Sequence, residues 1–225
     1  NHEYGRVTPD SEQRVLTVNW RQQFTLPLNG PAGLEETCYY TDIQGVRMIA
    51  LNSNERQEEQ AVWLDKLLSD NPNRWTVIAF HHPFYSTAQR RDNKELRDVW
   101  QPVFDKHRVD LVLQGHDHAY GRSNLVTGND TRTGKSGTVY VVSVGGAKLY
   151  PLASKEVFER AADFTQLFQI IRVSGDNLAY EARTAGGELY DAFDLQKRRG
   201  KSNKLVNRVP KTPQRVKPRE AKAAE

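Results

Sequence analysis

Leu111–Ser123 reads LVLQGHDHAYGRS: an apolar run closed by Gly115, then His116 and His118 with Asp117 between them. A short apolar run that ends on glycine predicts a buried strand. Working outward, NKELRDVWQPVFDKH upstream sets Leu96, Val99, Trp100, Val103 and Phe104 at helical intervals, with Pro102 expected to bend or restart the helix. Before it, RWTVIAF is a β-rich run ending at HHPFYS, where Pro83 stops the strand. RQEEQAVWLDKLLSD puts Trp63, Leu64, Leu67 and Leu68 on one helical face, behind carboxylates that suit a helix N-terminus. CYYTDI, a QG turn and VRMIALN predict a hairpin. Strand, helix, strand, helix, strand at these lengths implies parallel βαβ units, hence an α/β fold.

The flanks are less regular. DSEQRVLTVNWRQQF has partial helical spacing at Val15, Val18 and Phe24 and is expected as a helix. After Gly115, the segments GTVYVVSVGG, TQLFQIIRVS, NLAYEARTA and ELYDAFDL predict an antiparallel sheet packed on the first, with KEVFERAADF as the one helix candidate between them. The 225 residues, 37% hydrophobic, suffice for one sizeable core. No run approaches the roughly 18 apolar residues of a membrane span. The single Cys38 excludes an intrachain disulfide. Charge is uneven: residues 197–225 hold eleven Lys and Arg against two Glu, so the body, residues 1–196, is mildly acidic. A basic, Pro-rich segment poor in large apolar side chains predicts a flexible tail, able to contact polyanions.

Five of six histidines fall in three clusters: His2 in NHE, His81 and His82 in FHHP, and His116 and His118 in GHDH. His81 and His116 each follow a strand of the parallel set, and ligands of open α/β sheets bind at the carboxyl ends of such strands. Two imidazoles two residues apart suit two neighbouring metal ions, the device that clamps the attacking and leaving oxygens of a phosphoryl group. The same residues in isolation read as surface or satisfied polar groups; for His107, at the end of a helix, that reading is preferred.

NHE, VIAFHHP and GHDHAYGRS, in this order, resemble the last three of five motif blocks of the calcineurin-like metallophosphoesterases, and most of all the purple acid phosphatases. MIALNSN, AVWLDKLL and RVDLVLQ extend the resemblance over about residues 1–150. It implies a β-sandwich flanked by helices in αββα layers, truncated here at its N-terminus, because the D-x-G and G-D-x-x-Y blocks are absent. It further implies hydrolysis of phosphate monoesters by in-line attack of a metal-bound hydroxide, with two metal ions, iron paired with zinc, manganese or iron. Asn1, His81 and His116 would hold one ion and His118 the other; His2 would contact the phosphate and protonate the leaving group. Gly121 departs from the glutamate usual in plant members. An isolated fragment would lack the partner ligands and be inactive until joined by the missing N-terminal segment. A phosphodiesterase or nucleotidase on the same scaffold, or an incomplete chain acting through its basic tail, are the alternatives. The family is typically secreted or periplasmic. The loops YGRVTPDSEQ and FYSTAQRRDN are expected to line the substrate pocket, with Arg90 and Arg91 as anion contacts.

Overall fold

The computed structural model describes residues 1–89, 91–128, 130–153 and 156–216. In chain order the elements are β1 (Tyr4–Arg6), β2 (Arg14–Leu16), α1 (Asn19–Gln23), β3 (Tyr39–Ile43), β4 (Val46–Ala50), α2 (Gln57–Ser69), β5 (Trp75–Phe80), α3 (Lys94–His107), β6 (Leu111–Gln114), β7 (Tyr120–Val126), β8 (Thr138–Val142), β9 (Phe158–Ala162), β10 (Leu167–Ser174), β11 (Asn177–Thr184), β12 (Leu189–Arg198) and β13 (Lys201–Asn207). Seven strands form one mixed sheet in the order β3-β4-β5-β6-β8-β7-β9, and β10 to β13 form an antiparallel meander. The hairpin β3–β4 turns on Gln44 and Gly45, both at positive φ, the backbone that a two-residue turn needs and that glycine adopts without strain. Strands β4, β5, β6 and β8 pair in parallel.

Helices α2 and α3 cover one face of the large sheet. Leu64, Leu68, Leu96, Trp100 and Phe104 pack there against Ile78, Phe80, Phe84 and Val112. Each such fully buried side chain contributes roughly 1.5–3 kcal/mol. The Trp100 indole N–H donates to the Gln57 carbonyl at 2.8 Å, tying the two helices together. The meander covers the other face, where Trp75, Val77, Leu111, Val139 and Val141 meet Leu178, Tyr180, Phe193 and Leu195. The described residues thus form helix, sheet and sheet layers. Across the sheet interface runs a buried ion pair: Arg122 on β7 donates to Asp191 on β12 through Nε (2.9 Å) and Nη2 (3.0 Å), and the Tyr120 hydroxyl donates to the same carboxylate at 2.7 Å.

Several sequence expectations change. Residues 10–24 form β2, paired antiparallel with β1, and the five-residue α1; Val15 and Val18 stay exposed, so no apolar stripe exists to bury a longer helix. KEVFERAADF supplies β9, whose Arg160, Ala161 and Ala162 are buried at the sheet margin against β7. GTVYVV becomes β8, a parallel member of the first sheet. Helix α3 runs through Pro102 without restarting. YGRSNLV, directly after the histidines, is strand β7.

The stretch expected as a tail is folded up to residue 216. Residues 197 and 198 close β12, Lys201–Asn207 form β13, and residues 212–215 run as a strap along β9. In that strap Asp163 N–H donates to the Arg215 carbonyl, and Arg160 Nη1 donates to the Thr212 carbonyl at 3.0 Å. The ordering is repaid by main-chain pairing and by Leu205, which packs against the inter-sheet core, rather than by large apolar content. Residues 217–225 lie outside the described residues.

Gly121 on β7 also finds a reason. A Cβ there would sit 2.7 Å from both the Phe158 ring and the Thr87 methyl. Gly121→Glu is therefore expected to destabilise by about 1–3 kcal/mol through overpacking. Urea denaturation measures this, and an unchanged midpoint would show that Phe158 swings away freely.

Candidate metal centre

Strand β5 ends at Phe80 and delivers His81 and His82; β6 ends at Gln114 and delivers Gly115 and His116. The two strand ends are stitched together by the Gly115 N–H, which donates to the His81 carbonyl at 3.0 Å. His116 sits in the left-handed region at φ 65, an uncommon conformation for a residue with a Cβ and one that concentrates at functional sites. The turn brings His116 Nδ1 to 3.0 Å from His81 Nε2. Ring nitrogens of His81, His82 and His116 all lie within 4.8 Å of one another. Burial pushes the His81 imidazole down to about 3 and His82 down to about 4, and the cationic neighbours add to it; burial and then Arg91 lower His116 as well. The three rings are accordingly neutral at physiological pH, the form that ligates metals.

Asn1 lies in the same cleft as His81, and its side-chain oxygen is buried without a hydrogen-bond partner. An orphaned amide oxygen beside facing imidazole nitrogens fits a divalent cation. The segment is placed by Tyr4, whose hydroxyl donates to Glu55 and accepts from Asn52, both at 2.5 Å. His2 is exposed, next to Asn1, and its charge reaches His81.

His118 stands apart from the three-ring cluster. Its Nδ1 pairs with the Lys148 carbonyl at 2.6 Å, and its ring stacks on Tyr150. A carbonyl only accepts, so Nδ1 carries the proton and Nε2 keeps its lone pair, the tautomer of a histidine ligand. His82, to which the family resemblance assigns no role, joins the other two rings of the cluster. Its backbone N–H donates to Ser53 Oγ at 3.0 Å, and that hydroxyl lies 2.9 Å from His82 Nδ1. If the hydroxyl proton goes to Nδ1, Nε2 becomes a donor suited to an anion.

Asp117, which the sequence offers only as the spacer between two histidines, is buried and fully engaged. It accepts from the Ser86 hydroxyl at 2.5 Å, from Thr87 N–H at 2.8 Å and from Ala88 N–H at 3.2 Å, and it pairs with Arg91. The FYSTAQ loop is thereby fastened to the histidine turn, and Arg91 is held beside His116. No local pattern in the sequence reveals these partners, since they lie about thirty positions away. Arg90 falls outside the described residues. His107, as preferred from sequence, is a structural group, paired with Asp65 at 2.6 Å.

A two-sheet α/β sandwich with histidines after its parallel strands sets candidate metal ligands where open α/β sheets bind their ligands. The chain belongs to the calcineurin-like phosphoesterase family, whose profile matches residues 1–120. It is 31% identical to the probable purple acid phosphatase 20 of Arabidopsis thaliana, over 69% of this chain and 38% of that protein. It is 29% identical to an uncharacterized protein of Mycobacterium tuberculosis, over 64% of this chain and 36% of the relative. Among solved structures it resembles the purple acid phosphatase PPD1 from yellow lupin (Lupinus luteus) seeds, with TM-score 0.64 and 23% identity over 77% of this chain and 34% of that one. The chain thus spans between 27% and 38% of the length of these and similar curated relatives. No helix among the described residues is long and apolar enough to cross a membrane.

Proposed function

We propose that the protein hydrolyses phosphate monoesters at a pair of metal ions held in part by this chain, Asn1, His81 and His116 on one ion and His118 on the other. The observation that carries the reading is the 3.0 Å approach of His81 Nε2 to His116 Nδ1 beside the unpartnered Asn1 oxygen. Such ions, iron with zinc, manganese or iron, would lower the pKa of bound water and neutralise phosphate oxygens. His2, exposed at the rim, is positioned in this reading to contact the phosphate and give a proton to the departing alkoxide, a role worth about 10²–10⁴-fold in rate. Arg91, held by Asp117, supplies positive charge beside His116. A secreted or periplasmic location belongs to the same reading by family likeness.

The test uses the intact protein with nitrophenyl phosphate and bis(nitrophenyl) phosphate. Monoester turnover that disappears on chelation and returns with added metal is the expected result. Chelator-insensitive turnover would overturn the metal reading, and faster hydrolysis of the diester would favour the phosphodiesterase alternative.

A further inference from the structure

We propose that the end of the sandwich remote from the histidines holds a second anion site, which takes a small di- or triphosphate. A cavity of about 390 Å³ opens there, between the end of α3, the start of β8 and the β12–β13 turn. That volume falls within the range of small-ligand sites. Four cationic side chains line it, Arg108, Lys197, Arg198 and Lys201, against two acidic ones, Asp105 and Asp110.

Of the two acidic groups only Asp110 answers one of these charges, that of Lys197. Asp110 is buried and saturated: Oδ1 takes the Lys197 ammonium and the Asn203 amide, both at 2.5 Å, and Oδ2 takes the Thr76 N–H at 2.8 Å. Asp105 Oδ2 takes the Gly128 N–H at 2.7 Å, while its Oδ1 is buried without a hydrogen-bond partner and leaves the three remaining cations unanswered. Only Lys197 of the four cations is paired, and it also lies over the Trp75 ring. Among the described residues Arg108, Arg198 and Lys201 have no ion-pair partner; the Arg198 Nε donates only to the Ser202 carbonyl.

Two features hold those cations where isolated folding would not favour them. Arg108 caps α3 in the left-handed conformation, φ 54, a place where glycine is usual. Arg198 and Lys201 are directly opposed across the β12–β13 pair, and like charges so placed repel. An anion lodged between them would relieve the repulsion, and the terminal oxygens of a polyphosphate suit the exposed guanidinium and ammonium donors of Arg108, Arg198 and Lys201. The site is distinct from the metal centre: Asp110 immediately precedes β6 and Gly115, which leads into His116, immediately follows it, five residue steps or about 16 Å along the strand. The inference does not depend on the proposed hydrolysis.

Pyrophosphate titration by calorimetry tests it, on the intact protein carrying His116→Ala so that the metal centre contributes least. Saturable binding, weakened at least about tenfold by Arg108→Gln together with Lys201→Gln, is expected from loss of two charged hydrogen bonds. Nitrophenyl phosphate hydrolysis in the otherwise native protein should be unchanged by the same pair of substitutions. Absence of saturable pyrophosphate binding, or an affinity indifferent to the substitutions, would overturn the proposal. So would binding of a DNA oligonucleotide, in place of pyrophosphate, with a steep salt dependence. ATP compared with pyrophosphate then separates a nucleotide from an inorganic occupant, tighter ATP binding pointing to the former.

Discussion

His116→Ala in the intact protein is expected to lower nitrophenyl phosphate turnover at least about 100-fold and to reduce bound metal together with it. Changes to groups that merely orient a ligand already bring losses of about 10–100-fold, and His116 is proposed as a ligand itself. The backbone reinforces the effect's specificity. His116 occupies a left-handed conformation at the end of β6 and faces His81 at 3.0 Å, so its removal takes one of two opposed nitrogens while the Gly115-to-His81 main-chain bond remains. Metal analysis beside the kinetics distinguishes loss of the site from loss of the fold, provided thermal unfolding is little changed. Full turnover with full metal content would remove His116 from the centre and with it the proposed ligand set.

Asp191→Ala is expected to produce the largest loss of stability, about 3–5 kcal/mol, because it leaves the Arg122 guanidinium buried without its counter-charge. For a chain of this size that corresponds to a fall in Tm of about 6–20 °C. Both side chains of the pair are wholly buried, and Tyr120 loses its acceptor in the same step. Replacing Asp191 with Leu and Arg122 with Met together should cost much less than the single change, since no uncompensated charge then remains. A double variant as unstable as Asp191→Ala would mean that the hydrogen-bonded network, not the unpaired charge, dominates.

The central βαβ region was legible because each element there carries one period. Trp100 and Phe104 recur at helical spacing, WTVIAF is apolar except for Thr76, as suits a strand covered on both faces, and QG specifies its turn. The margins were not, because their structure is imposed from elsewhere. Strand β9 contains Glu159 and Arg160, a poor strand sequence, and forms because Arg160 meets the Tyr190 and Thr212 carbonyls. Strand β13 is basic and weakly apolar, yet β12 offers it a main-chain edge. At the site, the histidines were visible as clusters, whereas the roles of Lys148, Ser53 and Asp117 depend on contacts across 29 to 31 positions. The helical reading of residues 10–24 failed for the opposite reason: Val15 and Val18 suggested a buried stripe, and no neighbour among the described residues buries it.

The strap at residues 212–215 sets an order of events for a chain made from its N-terminus. It belongs in space to β9, at the margin of the first sheet, but in sequence it follows all four strands of the second. Until β13 has emerged, Asp163 N–H and the Arg160 guanidinium have no Arg215 or Thr212 carbonyl to meet, and the β9 edge stands open. The large sheet can therefore pair early but is sealed late, and the meander must be in place before its neighbour is finished. Completion of one layer waits on synthesis of the other, even though among the described residues the two sheets share no strand ladder.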